Sequence, residues 1–186
     1  MIRNARVEDA KAIAELVLVI LKDMEVAFLE EFGEEKTVEV IMKAVESPTY
    51  RYGYARGIVK EIDGEVAGIA FGYLAEEEER IDLPLSDALK SLGLPEARIF
   101  VDLETYPNEW YLDTIVVNEK FRGYGVGTEL LEAVNRAAKE AGADKVGLCV
   151  DFANPKAQQL YKRQGFEIVG KQILSGHDYY HMQRPV

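Results

Sequence analysis

Three alternating glycines within Val116-Val117-Asn118-Glu119-Lys120-Phe121-Arg122-Gly123-Tyr124-Gly125-Val126-Gly127-Thr128 constrain the fold more than any other stretch of this chain. An apolar strand ends there, the chain turns, and an amphipathic helix begins at once. The first backbone N–H groups of a helix have no intrahelical acceptor and carry partial positive charge, so they attract an anion. Glycines at 123, 125 and 127 remove the Cβ atoms that would hold a phosphate away from those amides, and Arg122 adds a fixed charge at the mouth. The stretch reads as a pyrophosphate seat. A nucleotide-binding P-loop would end in Gly-Lys-Ser or Gly-Lys-Thr, whereas Gly127 is followed by Thr128 and Glu129. A dinucleotide fingerprint begun at Gly123 would want glycine or alanine where Thr128 stands, and its acidic partner could only be Asp144, which precedes a strand rather than ending one.

Arg122, Gly125 and Gly127 form an Arg-x-x-Gly-x-Gly pattern that resembles the acetyl-CoA signature of the GNAT (Gcn5-related) N-acetyltransferases. Downstream, Leu148-Cys149-Val150-Asp151-Phe152-Ala153-Asn154-Pro155-Lys156-Ala157-Gln158-Gln159-Leu160-Tyr161 and the closing Gly165-Phe166 resemble that family's second motif. From about Trp110 to the C-terminus the resemblance is close; before that it is one of architecture. It implies an α/β (α+β) GNAT fold, a central mixed, mostly antiparallel twisted sheet of about seven strands flanked by about four helices.

Periodicity along the chain gives a matching element order. Residues 2–6 read as a first strand. Apolar positions from Ala10 through Ile13, Val17, Ile20 and Met24 to Phe28 recur at helical spacing, with Gly33 as the stop. A second helix covers about 35–46, before Pro48. Strands at 54–62 and 65–74 flank Asp63-Gly64, a hairpin turn signal. Residues 76–106 form an acidic insertion with a short helix over Ser86 to Leu92, long enough to suggest a substrate lid or a dimer contact, or a surface decoration. Strand 109–117, helix 126–141, strand 145–151, helix 155–164 and strands near 166–174 and 178–184 complete the order. No linker or repeat divides residues 1–186, which read as one domain.

The resemblance implies roles position by position. The backbone of Ile115, Val116 and Val117 would pair with the pantetheine arm. Amides from Gly123 through Tyr124, Gly125, Val126 and Gly127 to Thr128 would hold the pyrophosphate beside Arg122. Asn154 and the helix bearing Ala157 would flank the thioester. Tyr161 occupies the position from which the family's tyrosine donates a proton to the departing thiolate. A thiol near ~8.5 and a phenol near ~10 make that donation a stabilisation of charge rather than a full downhill transfer. Either Glu109 or Asp113, which share a strand face with Tyr111, would take the proton of the amine, or a water chain would. Acetyl-CoA is the expected co-substrate, and the acceptor is a primary amine whose identity is left open. A CoA-binding regulatory module without turnover, and an enzyme using a longer acyl-CoA, are the alternative readings; the presence of Tyr161 and a strand carboxylate favours an enzyme.

Composition narrows the partners. A net charge of -11 disfavours nucleic acid and anionic membranes and mildly favours a cationic substrate. The longest apolar run, Leu16 to Leu21, is too short to cross a bilayer, and Arg3, Arg6, Glu8 and Asp9 interrupt any signal segment. The single cysteine, Cys149, fits a reducing cytoplasm, and its place in an apolar strand makes it a packing residue rather than a nucleophile. His177 and His181 lack the partners for zinc, so no metal is expected, while His177 is a candidate for the substrate pocket. The aromatic run from Tyr50 to Tyr54 either shapes an acceptor pocket or leads exposed into a strand. The family's frequent dimerisation adds a homodimer to the expectations.

Overall fold

A computed structural model describes all 186 residues. Seven strands form one mixed sheet: β1 (Ile2–Asn4), β2 (Gly57–Ile62), β3 (Glu65–Leu74), β4 (Trp110–Val117), β5 (Lys145–Asp151), β6 (Glu167–Leu174) and β7 (His177–Pro185). They lie in the order β1-β2-β3-β4-β5-β7-β6, and every neighbouring pair is antiparallel except β4 and β5. Five helices cover the faces: α1 (Ala10–Asp23), α2 (Ala27–Val45), α3 (Leu83–Ser91), α4 (Val126–Glu140) and α5 (Pro155–Arg163).

Two apolar layers hold this arrangement. Ile13, Val17 and Leu21 of α1 and Val40, Ile41 and Ala44 of α2 pack with Ile69 and Phe71 on one face of the sheet. Leu130, Leu131, Val134 and Ala138 of α4 pack with Ala67, Ala70, Val146 and Leu148 on the other. All three helices bury an apolar stripe along one side, the pattern of an amphipathic helix. The β2–β3 hairpin turns at Asp63 and Gly64, both at positive φ (50° and 82°), as a two-residue loop matched to strand twist demands.

The first half of the chain departs from its periodicity most clearly between Met24 and Val26. The helix expected to run unbroken to Gly33 instead ends at Asp23, and a new one starts at Ala27. Glu25 takes φ 53°, and the amide of Val26 bonds the carbonyl of Leu21 at 3.4 Å, a helix-ending pattern in which glycine usually takes the left-handed position. Gly33, at φ 77° and ψ 167°, leaves the helical path inside Ala27–Val45, so one helical stretch does stop there and a second follows it, as the sequence suggested. α3 likewise begins three residues before the expected Ser86. The run from Tyr50 to Tyr54 is no exposed lead-in: Tyr50 and Tyr52 are fully buried.

A bulge at Asp113 sets the geometry of β4. Phe71 pairs with Thr114 and Gly72 with Leu112, leaving Asp113 without a partner on β3. The extra residue reverses the alternation, so Trp110, Leu112, Ile115 and Val117 pack toward α4 while Val116 joins the layer of α1 and α2. Gly72 sits at this point because a Cβ there would lie 2.2 Å from the Trp110 ring and 2.4 Å from the carbonyl of Tyr111. Replacing Gly72 by alanine is expected to cost about 1–3 kcal/mol of overpacking strain. At roughly 2–4 °C per kcal/mol for a chain of this size, calorimetry should show Tm falling by roughly 2–12 °C.

Candidate active site

The parallel strands β4 and β5 hydrogen-bond only at Trp110–Val146 and Tyr111–Gly147 and then part. Beyond Tyr111 the edge of β4 that faces β5 has no strand partner. A cavity of about 300 Å³ opens in the gap, walled by Ile115 and Val117 of β4, Leu148 and Val150 of β5, and Leu160 and Tyr161 of α5. The chain then enters the glycine turn. Gly123 and Gly125 sit at φ 84° and 78°, in the left-handed region, and a Cβ on either would meet nothing of the protein within 4 Å. None of the amides from Gly123 to Thr128 finds an acceptor in the protein. A row of free donors at a helix start, with open space before it, fits a pyrophosphate, and the unpaired strand edge fits an extended amide-bearing arm.

The expected donor residues divide between cavity and turn. Ile115, Val117, Gly127, Asn154 and Ala157 line the cavity. Arg122, Gly123, Tyr124 and Gly125 lie exposed on the turn, Thr128 is half-buried, and the side chains of Val116 and Val126 go into the core. Asn154 caps α5, its Oδ1 accepting from the amide of Ala157 at 3.1 Å. Tyr161 also lines the cavity; its hydroxyl has no protein partner, and burial pushes it up to about 12, so the phenol stays protonated.

The two expected strand carboxylates are placed differently from each other. Asp113 lines the cavity, but one oxygen is ion-paired with the buried guanidinium of Arg51 and the other accepts from the Thr114 hydroxyl at 3.0 Å. Arg51 also binds Asp82 at 2.9 and 3.0 Å and lies 4.3 Å over the ring of Phe100. Glu109 does not reach the cavity at all. It precedes β4, and its carboxylate lies under Gly147, taking bonds from the amide of Tyr106 (2.8 Å), Gln183 Nε2 (2.7 Å) and the ring of His181 (3.0 Å). Its partners on β7 come from the far end of the sequence, which is why strand alternation alone could not place it.

Sequence reasoning passed over Glu104. Its residue is 5% exposed and lines the cavity, and Oε2 accepts from the Tyr111 hydroxyl at 2.8 Å. Burial, with the charge of Asp113 behind it, raises this carboxyl from an ordinary 4.5 to about 8. The only hint in the sequence was an acid amid apolar residues of the 76–106 segment.

The chain matches the model of the GNAT acetyltransferase family over residues 20–166. The chain belongs to that family. Its similarity to solved structures spans the whole molecule: a crystal structure of an acetyltransferase is 53% identical with TM-score 0.92, covering 100% of this chain and 99% of that one. An N-acetyltransferase from Staphylococcus aureus Mu50 is 31% identical with TM-score 0.87, covering 99% and 100%. Among sequence relatives, an N-alpha-acetyltransferase of Sulfurisphaera tokodaii is 33% identical over 132 residues, 69% of this chain and 68% of that protein. As a GNAT acetyltransferase the chain is an acyltransferase, and its sheet of seven strands and five helices is the GNAT fold.

One constellation in this GNAT domain imitates a different chemistry. Cys149 Sγ lies 3.4 Å from His181 Nδ1, and His181 Nε2 lies 3.0 Å from Glu109, an order of thiol, imidazole and carboxylate that suits a covalent nucleophile. Burial pushes the Cys149 thiol well up, the opposite of what a nucleophile needs, and Sγ also donates to Gln172 Oε1 at 3.1 Å. His181 is stacked on Tyr106 at 3.7 Å, fully buried, and serves as structure. Replacing Cys149 by alanine is therefore expected to leave transfer within about threefold of the parent, where loss of a covalent nucleophile would cost orders of magnitude. Glu104 has a folded-state pKa above its unfolded value, so its contribution to stability is full below about 4.5 and is lost as pH rises through about 8. Thermal scans from pH 5 to pH 9 should show Glu104→Gln gaining Tm relative to the parent as pH rises.

Proposed function

We propose that this chain is an acetyl-CoA-dependent N-acetyltransferase that passes the acetyl group directly to a primary amine. The observation that carries the reading is the parting of β4 from β5 after Tyr111, in line with the free amides of the glycine turn. Bound acetyl-CoA would supply a thioester whose carbonyl carbon is the electrophile. The backbone of Ile115 to Val117 orients its arm, the amides from Gly123 to Thr128 and the charge of Arg122 hold its phosphates, and Asn154 and Ala157 border the thioester end. Such a site works chiefly by positioning two reactants and by fixed dipoles. Tyr161, kept as a neutral phenol by its burial, donates a hydrogen bond to the leaving sulfur.

The other half of the cavity supports an amine. Its wall includes Asp23, Glu104, Asp113 and Asp151 and no lysine or arginine; with Asp113 paired to Arg51 and the Glu104 carboxyl raised to about 8, Asp23 and Asp151 supply the charge that draws a cation in. Ile20, Met24, Tyr52 and Phe100 supply apolar surface beside those carboxylates. His177 lies 3.5 Å from both Asp151 and Glu25, bridging the β6–β7 hairpin to the turn between α1 and α2 at this rim. Because the Sulfurisphaera tokodaii relative is an N-alpha-acetyltransferase, peptides with a free α-amino group come first among acceptors to test.

Saturating acetyl-CoA, at about 100 times Kd, is expected to raise Tm by roughly 5–10 °C, with no rise from NAD or ATP. Absence of a rise would overturn the donor assignment. In assays of thiol release, Tyr161→Phe is expected to lower kcat about 10²-fold with the acetyl-CoA-induced shift unchanged. Equal turnover would remove Tyr161 from the mechanism.

A further inference from the structure

We propose that Glu104, carried into the cavity by the segment between α3 and β4, takes the proton from the acceptor amine. The proposal rests on the N-acetyltransferase reading above and assigns the group that reading leaves open.

Four carboxylates line the cavity, and three are spoken for or ordinary. Asp113 has one oxygen on Arg51 and the other on Thr114. Asp151 accepts from the amide of Ala153 at 2.7 Å and faces His177. Asp23 is exposed on the rim, with water as its solvent. Glu104 alone is buried and still has an oxygen, Oε1, to which no protein group donates. A general base needs that combination: a fixed carboxylate, a free lone pair in the substrate chamber, and a proton affinity close to working pH. The raised pKa of about 8 supplies the last, close to that of an α-amino group at about 7.7–8.0.

The carboxylate is held by two devices. The Tyr111 hydroxyl grips Oε2 at 2.8 Å, and Tyr111 is the last residue of β4 paired to β5, so Glu104 sits at the vertex from which the strands diverge. Glu78, buried in the turn after β3, accepts from the amides of Glu104 and Thr105 at 2.6 and 3.2 Å and from the Thr105 hydroxyl at 2.5 Å. Glu78 is thus a positioning residue. The charged and titratable groups facing Glu104 are Asp113 on β4, Arg51 on the loop after α2, and Glu78. Tyr73 on β3, Tyr111 on β4, Cys149 on β5 and Tyr179 on β7 complete that environment.

The ammonium form of the acceptor gives one proton to Glu104. The freed nitrogen lone pair forms the bond to the thioester carbonyl carbon, and the carbon–sulfur bond breaks with its electron pair on sulfur. The second nitrogen proton ends on that sulfur, with Tyr161 donating a hydrogen bond there, and Glu104 returns its proton to solvent.

The test compares the parent, Glu104→Gln and Tyr111→Phe on one peptide amine from pH 6 to pH 10, so that the amine's own ionisation is common to all three. Parent turnover must be seen first; its absence would count against the N-acetyltransferase reading itself. For Glu104→Gln the expected result is a fall in kcat of at least about 10²-fold, an unchanged KM for acetyl-CoA, and a pH profile that keeps only the amine's own ionisation. The acetyl-CoA-induced rise in Tm reports folding. If the variant shows no such rise, Tyr111→Phe carries the test. Removing the phenol that favours the ionised carboxylate should move the inflection to higher pH. A parent-like kcat in folded Glu104→Gln, or an inflection unmoved in Tyr111→Phe, overturns the proposal.

Discussion

Everything that marks this molecule follows from two parallel strands that agree for two residue pairs and then diverge. A buried parallel ladder ordinarily satisfies every backbone group along its length. Here β4 leaves the amides and carbonyls of its second half unpaired toward β5, and only a ligand or water can complete them. The bulge at Asp113 is the local cause on the other edge, since it turns the strand and sends Asp113 and Thr114 to the same side. Divergence creates the chamber, and the glycine turn at its end supplies the anion seat.

Keeping such a gap open requires rigid walls. On the acceptor side the wall is built around Arg51, a fully enclosed guanidinium shared by Asp113, Asp82 and Tyr73 and covered by Phe100. Buried charges of this kind persist only when paired and hydrogen-bonded throughout. The arrangement ties the loop after α2, the start of α3, β3 and β4 into one block. It also makes Asp113 a structural group, with one oxygen on Arg51 and the other on the Thr114 hydroxyl.

The donor half was legible in the sequence because its signals are local. A glycine turn, an Asn cap before Pro155 and an Ala-x-x-Leu-Tyr helix lie within a few residues of their function, and the cavity gathers Ile115, Val117, Gly127, Asn154, Ala157 and Tyr161 as the motifs suggested. The seven strands were legible for the same reason. What was not legible depends on distant partners. The break at Met24 to Val26 is hidden because apolar spacing continues across it and Glu25, not glycine, takes the left-handed position. Glu109 looks like a strand-end acid until Gln183 and His181 meet it from β7. Glu104 gains its character from what surrounds it, and desolvation has no sequence motif.

The two halves of the chamber are also made of different material. The donor edge is backbone on a sheet, whereas the segment from Leu92 to Glu109 has no regular structure beyond the end of α3 and is moored by carboxylates to amides: Glu78 to Glu104 and Thr105, Glu109 to Tyr106, and Asp102 to Ser175. A loop held by a few point attachments tolerates insertions, deletions and exchange far better than a strand inside a ladder. The molecule thus separates a frame fixed by ladder pairing from a panel fixed by side-chain contacts. Changing the panel would retune both what enters the chamber and which carboxylate meets the amine, while the strand divergence and the glycine turn stay as they are.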